Sequence, residues 1–177
     1  KKRVRSHMSL LSIVNCLDPI LRKKCRPVEN INDKLIKLSE DMIETMNESG
    51  GLGLAANQVG LSSDLFVVNT GAQKEERNPI VIINPTITVS EDKETGEEGC
   101  LSIPDIFTEV KRAQRVEVKG YNLKGEETRY EAEGFLARAF QHEMDHLNGI
   151  LLWDNLGKVK RDILKRKFRK KLKELEE

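Results

Sequence analysis

Two of the three histidines in the chain, His142 and His146, stand four residues apart in Gln141-His142-Glu143-Met144-Asp145-His146-Leu147. On a helix that spacing is about one turn, so both imidazoles face one way and can share a metal ion. Glu143 projects beside them, where it can take a proton from a water on that ion. The chemistry this pattern serves is hydrolysis. Two histidines packed on a half-buried helix face would share the spacing but would not need a glutamate in second position. The third histidine, His7, lies in a basic leader, so a third ligand must be another residue type. Cys100, in Glu98-Gly99-Cys100-Leu101-Ser102, follows turn-forming Thr95-Gly96 and precedes Ile103-Pro104, a turn-to-strand edge. Its thiolate could complete a His2Cys set.

The elements that must hold these groups are legible as periodicity. Leu35, Leu38, Met42 and Met46, backed by Ile36 and Ile43, recur at helical spacing. Asn32-Asp33 can cap that helix and Gly50-Gly51 end it, which gives a core-facing helix rather than a cofactor box. Strand-like runs follow at Leu65 to Asn69, Ile80 to Asn84, Thr86 to Ser90, Val116 to Tyr121 and Thr128 to Ala132. Asn122-Leu123-Lys124-Gly125 reads as the hairpin turn joining the last two. The metal-motif helix should run from about Gly134 to Leu147 and stop at Asn148-Gly149. Helix, short strands with hairpins, then helices predict an α+β fold. In it, mixed, mainly antiparallel short sheets surround a central metal-binding helix, with further helices N- and C-terminal. Gly51-x-Gly53 follows a helix and precedes a strand, the reverse of the order phosphate binding needs, so no nucleotide cofactor is expected. Glycines there let a backbone lie close to an extended peptide.

Length and charge set the frame. The 177 residues suit one domain. No apolar run approaches the roughly 18 residues of a membrane span. Lys1 to His7 resemble a leader left by an expression tag and lack the apolar core of a signal peptide. Residues 8–157 form the expected catalytic domain and residues 158–177 a basic tail with ten Lys or Arg against four acids. Since the whole chain carries only +1, the body is acidic. Val159, Ile163, Leu164, Phe168, Leu172 and Leu175 form an apolar stripe in that tail, an amphipathic helix that either docks on its own domain or presents its cations to a partner. Cys16, Cys25 and Cys100 are an odd, irregularly spaced set, which argues for a reducing compartment. Cys16 and Cys25 read as small packed residues.

Gly51-Leu52-Gly53-Leu54-Ala55-Ala56-Asn57-Gln58, Glu98-Gly99-Cys100-Leu101-Ser102 and Gln141 to Leu147 resemble, in order and spacing, the three signature motifs of the peptide deformylase family. The resemblance includes Asp18-Pro19-Ile20-Leu21-Arg22 and spans about Leu10 to Asp154. Asn57 stands where the family usually has proline, and Asp105 where glycine or glutamate is common; these departures bear on loop rigidity and peptide preference.

The resemblance implies a metal-dependent hydrolase that removes the formyl group from formyl-methionyl nascent peptides and releases formate. It implies Cys100, His142 and His146 as ligands of one divalent ion, Fe2+ in the cell, with Zn2+, Ni2+ or Co2+ able to take its place. Glu143 would be the general base and then acid. Gln58 and the backbone N–H of Leu101 would meet the developing oxyanion, with Leu52, Gly53 and Gly99 lining the peptide groove. Phe135 and Ala139 precede His142 by seven and three residues, which puts them on its helix face. By resemblance they, Leu52 and the Arg138 stem contact the methionine side chain; for Phe135 ordinary core packing is the competing reading. Glu98, Ser102 and Arg112 are either supports for the ligands or structural. The resemblance further implies a bacterial-type cytoplasmic protein or a processed organellar one, and a basic C-terminal helix that contacts the ribosome. Because the catalytic candidates all lie upstream, truncation after about Lys160 should leave formate release on a short peptide largely intact while ribosome or RNA binding falls. Two rivals remain open: a peptidase that cuts internal amides, and a metal-stabilised module that binds RNA without turnover.

Overall fold

A computed structural model describes residues 9–71 and 77–176, the last two by backbone alone, so the expected leader, Lys1 to His7, lies outside the described residues. The first long helix, α1, spans Asp33–Glu48. The Asn32 side chain caps it by accepting the Leu35 N–H at 3.1 Å, and Met42 and Met46 are fully buried along one face. Gly50, at φ +67°, turns the chain out of it as only a residue without Cβ does cheaply.

Seven strands follow: β1 (Gly53–Ala55), β2 (Leu65–Asn69), β3 (Pro79–Val89), β4 (Lys93–Cys100), β5 (Ile103–Ala113), β6 (Arg115–Tyr121) and β7 (Glu127–Glu133). Five of them form one antiparallel sheet in the order β1-β2-β3-β6-β7, while β4 and β5 pair only with each other. The two runs expected before and after Pro85 are one strand with a bulge between Ile83 and Thr86. Asn84 sits there at φ +50°, its side chain bonded to the Val28 N–H and carbonyl. Asn122 to Gly125 turn the β6–β7 hairpin as expected, with Gly125 at φ +77°.

The β4–β5 hairpin corrects the sequence reading. Thr95 and Gly96 are not a turn but mid-strand positions, opposite Lys111 and Val110. Gly96 has a different role, making room for a neighbour: a Cβ there would stand 2.9 Å from the Arg138 guanidinium, which lies against the strand.

Helix α2 spans Gly134–Leu147, as its motif predicts. One face, with Ala137, Phe140 and Leu147, seals the five-stranded sheet against Phe66, Ile82, Val116 and Val118. The Phe66 and Phe140 rings meet at 6.0 Å. Burial of that size fixes the helix and so aims its other face. The last helix, α3 (Lys158–Glu176), docks on the hairpin side: Phe168 is buried among Ile103, Ile106, Leu152 and Trp153, with Leu164 and Leu172 flanking it. Val159 and Ile163 fall outside that contact and are exposed, which narrows the expected stripe. The fold is α+β, with α2 central. No described helix is long and apolar enough to cross a membrane.

Candidate active site

The three expected ligands come from two elements. His142 and His146 project from the free face of α2, and Cys100 ends β4 at the tight turn into β5. Their donor atoms lie within 4.8 Å of one another. His146 Nε2 is 3.1 Å from His142 Nε2 and 3.2 Å from Cys100 Sγ. Ligands bonded tetrahedrally at about 2.0–2.3 Å would be roughly 3.3–3.7 Å apart, so small adjustments suffice to fit one divalent ion. One thiolate and two imidazoles are a borderline-soft donor set suited to Fe2+, Zn2+, Co2+ or Ni2+.

Glu143 is buried beside them, and its Oε2 has no hydrogen-bond partner among the described residues. Burial in this apolar wall pushes its carboxyl up to about 7, with the neighbouring Glu98 charge adding to the rise. A carboxyl near neutrality accepts and returns a proton readily. Gly53 makes room for it: any Cβ at that position would collide with the Glu143 carboxylate. The glycine therefore serves the acid-base residue as well as the groove.

Gln58 is clamped so that its amide can only donate toward the site. Its Oε1 accepts the Ala55 N–H at 2.9 Å. Its Nε2 faces Ser102 Oγ at 3.2 Å and Cys100 Sγ at 3.8 Å. A cavity of about 540 Å³ opens in front of these groups. Leu52, Gly53, Gln58, Gly99, Leu101, Phe135, Arg138 and Ala139 all line it, as do Cys100, His142 and Glu143, whereas His146 lies behind them. Phe135, expected either at the pocket or in the core, is 62 % exposed at its rim, and Phe107, from β5, is 63 % exposed against Gly99. The head of Arg138 is bonded to Glu98 Oε1 and to the Val110 and Glu94 carbonyls, which leaves its stem at the cavity. Asp105, also on the wall, holds the left-handed φ of +59° and pairs with Lys171 of α3.

Glu98 and Arg112 brace the expected ligand His142. Glu98 Oε2 is 3.1 Å from His142 Nδ1, which leaves Nε2 of that ring turned to the site. Arg112 grips Glu98 with two bonds of 2.9 and 3.0 Å and reaches Asp145 at 2.6 Å. Burial alone would raise the Glu98 carboxyl; the hydrogen bonds from His142 and Arg112 bring it down to about 2. Burial disfavours a proton on either histidine. On His142 the Cys100 and Glu98 hydrogen bonds more than reverse that, while on His146 burial and the charge of His142 act together to lower it. Asp145 and Asn57 contact the surroundings of the expected ligands, and sequence reasoning did not single them out as supports. Asn57 is buried and its Nδ2 donates to the His146 carbonyl. For Asn57 the signals were its departure from the family's usual proline and its place beside Gln58; for Asp145, its place beside His146. Cys16 and Cys25 are buried, and burial pushes their thiols up to about 12 and about 11, the behaviour of packed residues rather than ligands.

The polypeptide deformylase family matches residues 10–162. The peptide deformylase of Syntrophobacter fumaroxidans is 53% identical over 167 residues, covering 94% of this chain and 98% of its own. That of Thermodesulfovibrio yellowstonii is 48% identical, covering 93% and 99%. The crystal structure of the Ehrlichia chaffeensis peptide deformylase superposes with a TM-score of 0.87 at 40% identity over 93% of this chain and 98% of that one. A plant peptide deformylase does so at 0.86 and 34% identity over 99% and 94%. With 53% identity over 94% of its length, the same fold and a convergent Cys100, His142 and His146, the chain belongs to the polypeptide deformylase family.

Proposed function

We propose that the family's reaction, hydrolysis of the formyl group from formyl-methionyl nascent peptides, runs in this chain on Glu143, Gln58 and Leu101 around an ion held by Cys100, His142 and His146. The observation that carries this reading is the buried, unbonded Oε2 of Glu143 beside three convergent donor atoms. Held by those donors, a divalent ion would supply Lewis acidity to the formyl carbonyl and to the attacking water. Glu143 accepts that water's proton and then passes it to the leaving amine, acting as base and then acid. The Gln58 amide, fixed by Ala55, and the backbone N–H of Leu101 donate to the oxygen that becomes negative. Leu52, Phe135, Ala139 and the Arg138 stem enclose the methionine side chain, and Gly53 and Gly99 leave strand edges free for the peptide main chain.

Fe2+ is the ion we assign in the cell, with Zn2+, Ni2+ and Co2+ able to use the same donors. The Cys100 thiolate offsets part of the cation's charge, so the rate should depend on which metal is loaded. A thiolate ligand beside an open cavity also suits a reducing compartment and predicts loss of activity in air. The outer face of α3 exposes Lys158, Lys160, Arg166, Lys167, Arg169, Lys170 and Lys173, a cationic surface suited to ribosomal RNA phosphate.

The test is formate release from formyl-Met-Ala-Ser by protein reconstituted anaerobically with Fe2+, run beside an unblocked peptide with the same internal amides. Formate without internal cleavage is the expected result. Internal cleavage without formate would make the chain a peptidase, and no turnover a binding module.

A further inference from the structure

We propose that Asn57 is a positioning residue for the metal ligand His146, acting through that histidine's main-chain carbonyl; this rests on the reading of His146 as a ligand. The two histidines are held by different means. Glu98 fixes the His142 ring at Nδ1, the usual device for a ligating imidazole. The corresponding Nδ1 of His146 is buried and has no hydrogen-bond partner among the described residues. Apart from its fellow ligands Cys100 and His142, no described side chain bonds to that ring, so its aim must come from packing and from its backbone.

The backbone is where the restraint lies. His146 belongs to the last turn of α2, whose carbonyls have no partner further along the helix. The His146 carbonyl accepts the Gly149 N–H at 3.0 Å and the Asn57 amide at 2.5 Å. The next carbonyl, of Leu147, accepts the Cys25 N–H at 2.8 Å. Asn57 supplies the side-chain bond to the His146 carbonyl, as Asn148 supplies one to the Met144 carbonyl of the same turn. It is fully buried and precedes Gln58 in the same 3-10 turn, Ala56–Val59. A single side chain thus ties the turn that carries Gln58 to the end of α2 that carries His146. Its Oδ1 is buried without a partner among the described residues. Keeping an amide there costs desolvation that an apolar residue would avoid, and the bond to His146 is the return that the geometry shows.

Asn57→Ala and Asn57→Leu, loaded anaerobically with Co2+, test this by the rate of cobalt loss to excess EDTA and by the absorption bands of the bound ion. The leucine variant keeps nearly the same shape and removes both polar atoms, so it separates positioning from packing. Both variants should release cobalt about tenfold faster or more and shift its ligand-field bands, the range seen when a support of a ligand is removed. In the metal-free proteins, the Gly149 amide should exchange its hydrogen faster. Parent-like release and bands in either folded variant overturn the proposal. Failure of both to fold also overturns it, since Asn57 is then part of the fold alone. A parent that takes up no cobalt, or shows no thiolate charge-transfer absorption, brings down the three-donor reading and this proposal together. Equal release from a parent that does bind cobalt removes Asn57 alone.

Discussion

The surroundings of His142 and His146 solve one problem by opposite physics. Around His142 the support is ionic: Glu98, Arg112, Arg138 and Asp145 form a mostly buried network in which each charge has a partner. Around His146 it is neutral: an asparagine amide, backbone donors, and the packed turn bearing Gln58. A buried ion network holds geometry tightly but fails badly when one member is lost, because the remaining charges are stranded out of water. A neutral cap fails by smaller steps. The two histidines should therefore differ in how they respond to damage.

The largest effect is expected at the group both regions flank. Glu143→Ala should lower kcat by at least ~100-fold while metal content stays at the parental level, because proton transfer is removed and no ligand is. Steady-state formate release and metal analysis on the same sample check this; loss of the ion would make Glu143 structural. Next is the ionic side. Arg112→Met removes the cation on Asp145 and one of the two guanidinium partners of Glu98, and should cost about 3–5 kcal/mol of unfolding free energy. Denaturant titration reads it, and a loss no greater than that of Asn57→Leu would erase the contrast.

Helix α3 widens the comparison to the hairpin's far side. Phe168→Ala should cost a similar ~3–5 kcal/mol, because the ring is 1 % exposed against Trp153 and the isoleucines behind the cavity wall. Truncation after Lys160 removes the same ring, so the shortened protein should melt earlier, while formate release from a short peptide below that melting point should stay largely intact. Its cationic face remains a separate matter, tested by co-sedimentation with ribosomes against salt for the parent and for Lys-to-Gln variants of that face. The smallest stability effect belongs to Phe135→Ala, within about 0.5 kcal/mol because the ring is exposed, yet KM for a formyl-Met peptide should rise. An unchanged KM would remove Phe135 from the pocket.

What the sequence disclosed follows from where the information is local. The span of α2, the α1 cap and the β6–β7 turn depend on residues a few positions apart, and all were readable. The β4–β5 hairpin was not. In β4 the outward and inward positions are nearly all polar, and in β5 the inward face alternates Ile106, Thr108, Val110 and Arg112, so no apolar period marks it. Arg112 looks like a surface residue until Glu98, fourteen positions away, and Asp145, thirty-three away, are brought to it. The Asn57 bond to His146 spans eighty-nine positions and is carried by a residue type common in turns. Long-range polar pairing leaves no pattern in one chain.

Whether Cys100, His142 and His146 together hold the single ion on which deformylation depends is tested most directly by adding Fe2+ anaerobically to metal-free protein. The quantity to follow is formate release from formyl-Met-Ala-Ser. The expected result is a linear rise that stops at one equivalent per chain, and no rise at stoichiometric iron for Cys100→Ser or His142→Ala. Turnover before any iron is added, a rise that continues to a second equivalent, or a Cys100→Ser curve matching the parent's would contradict it.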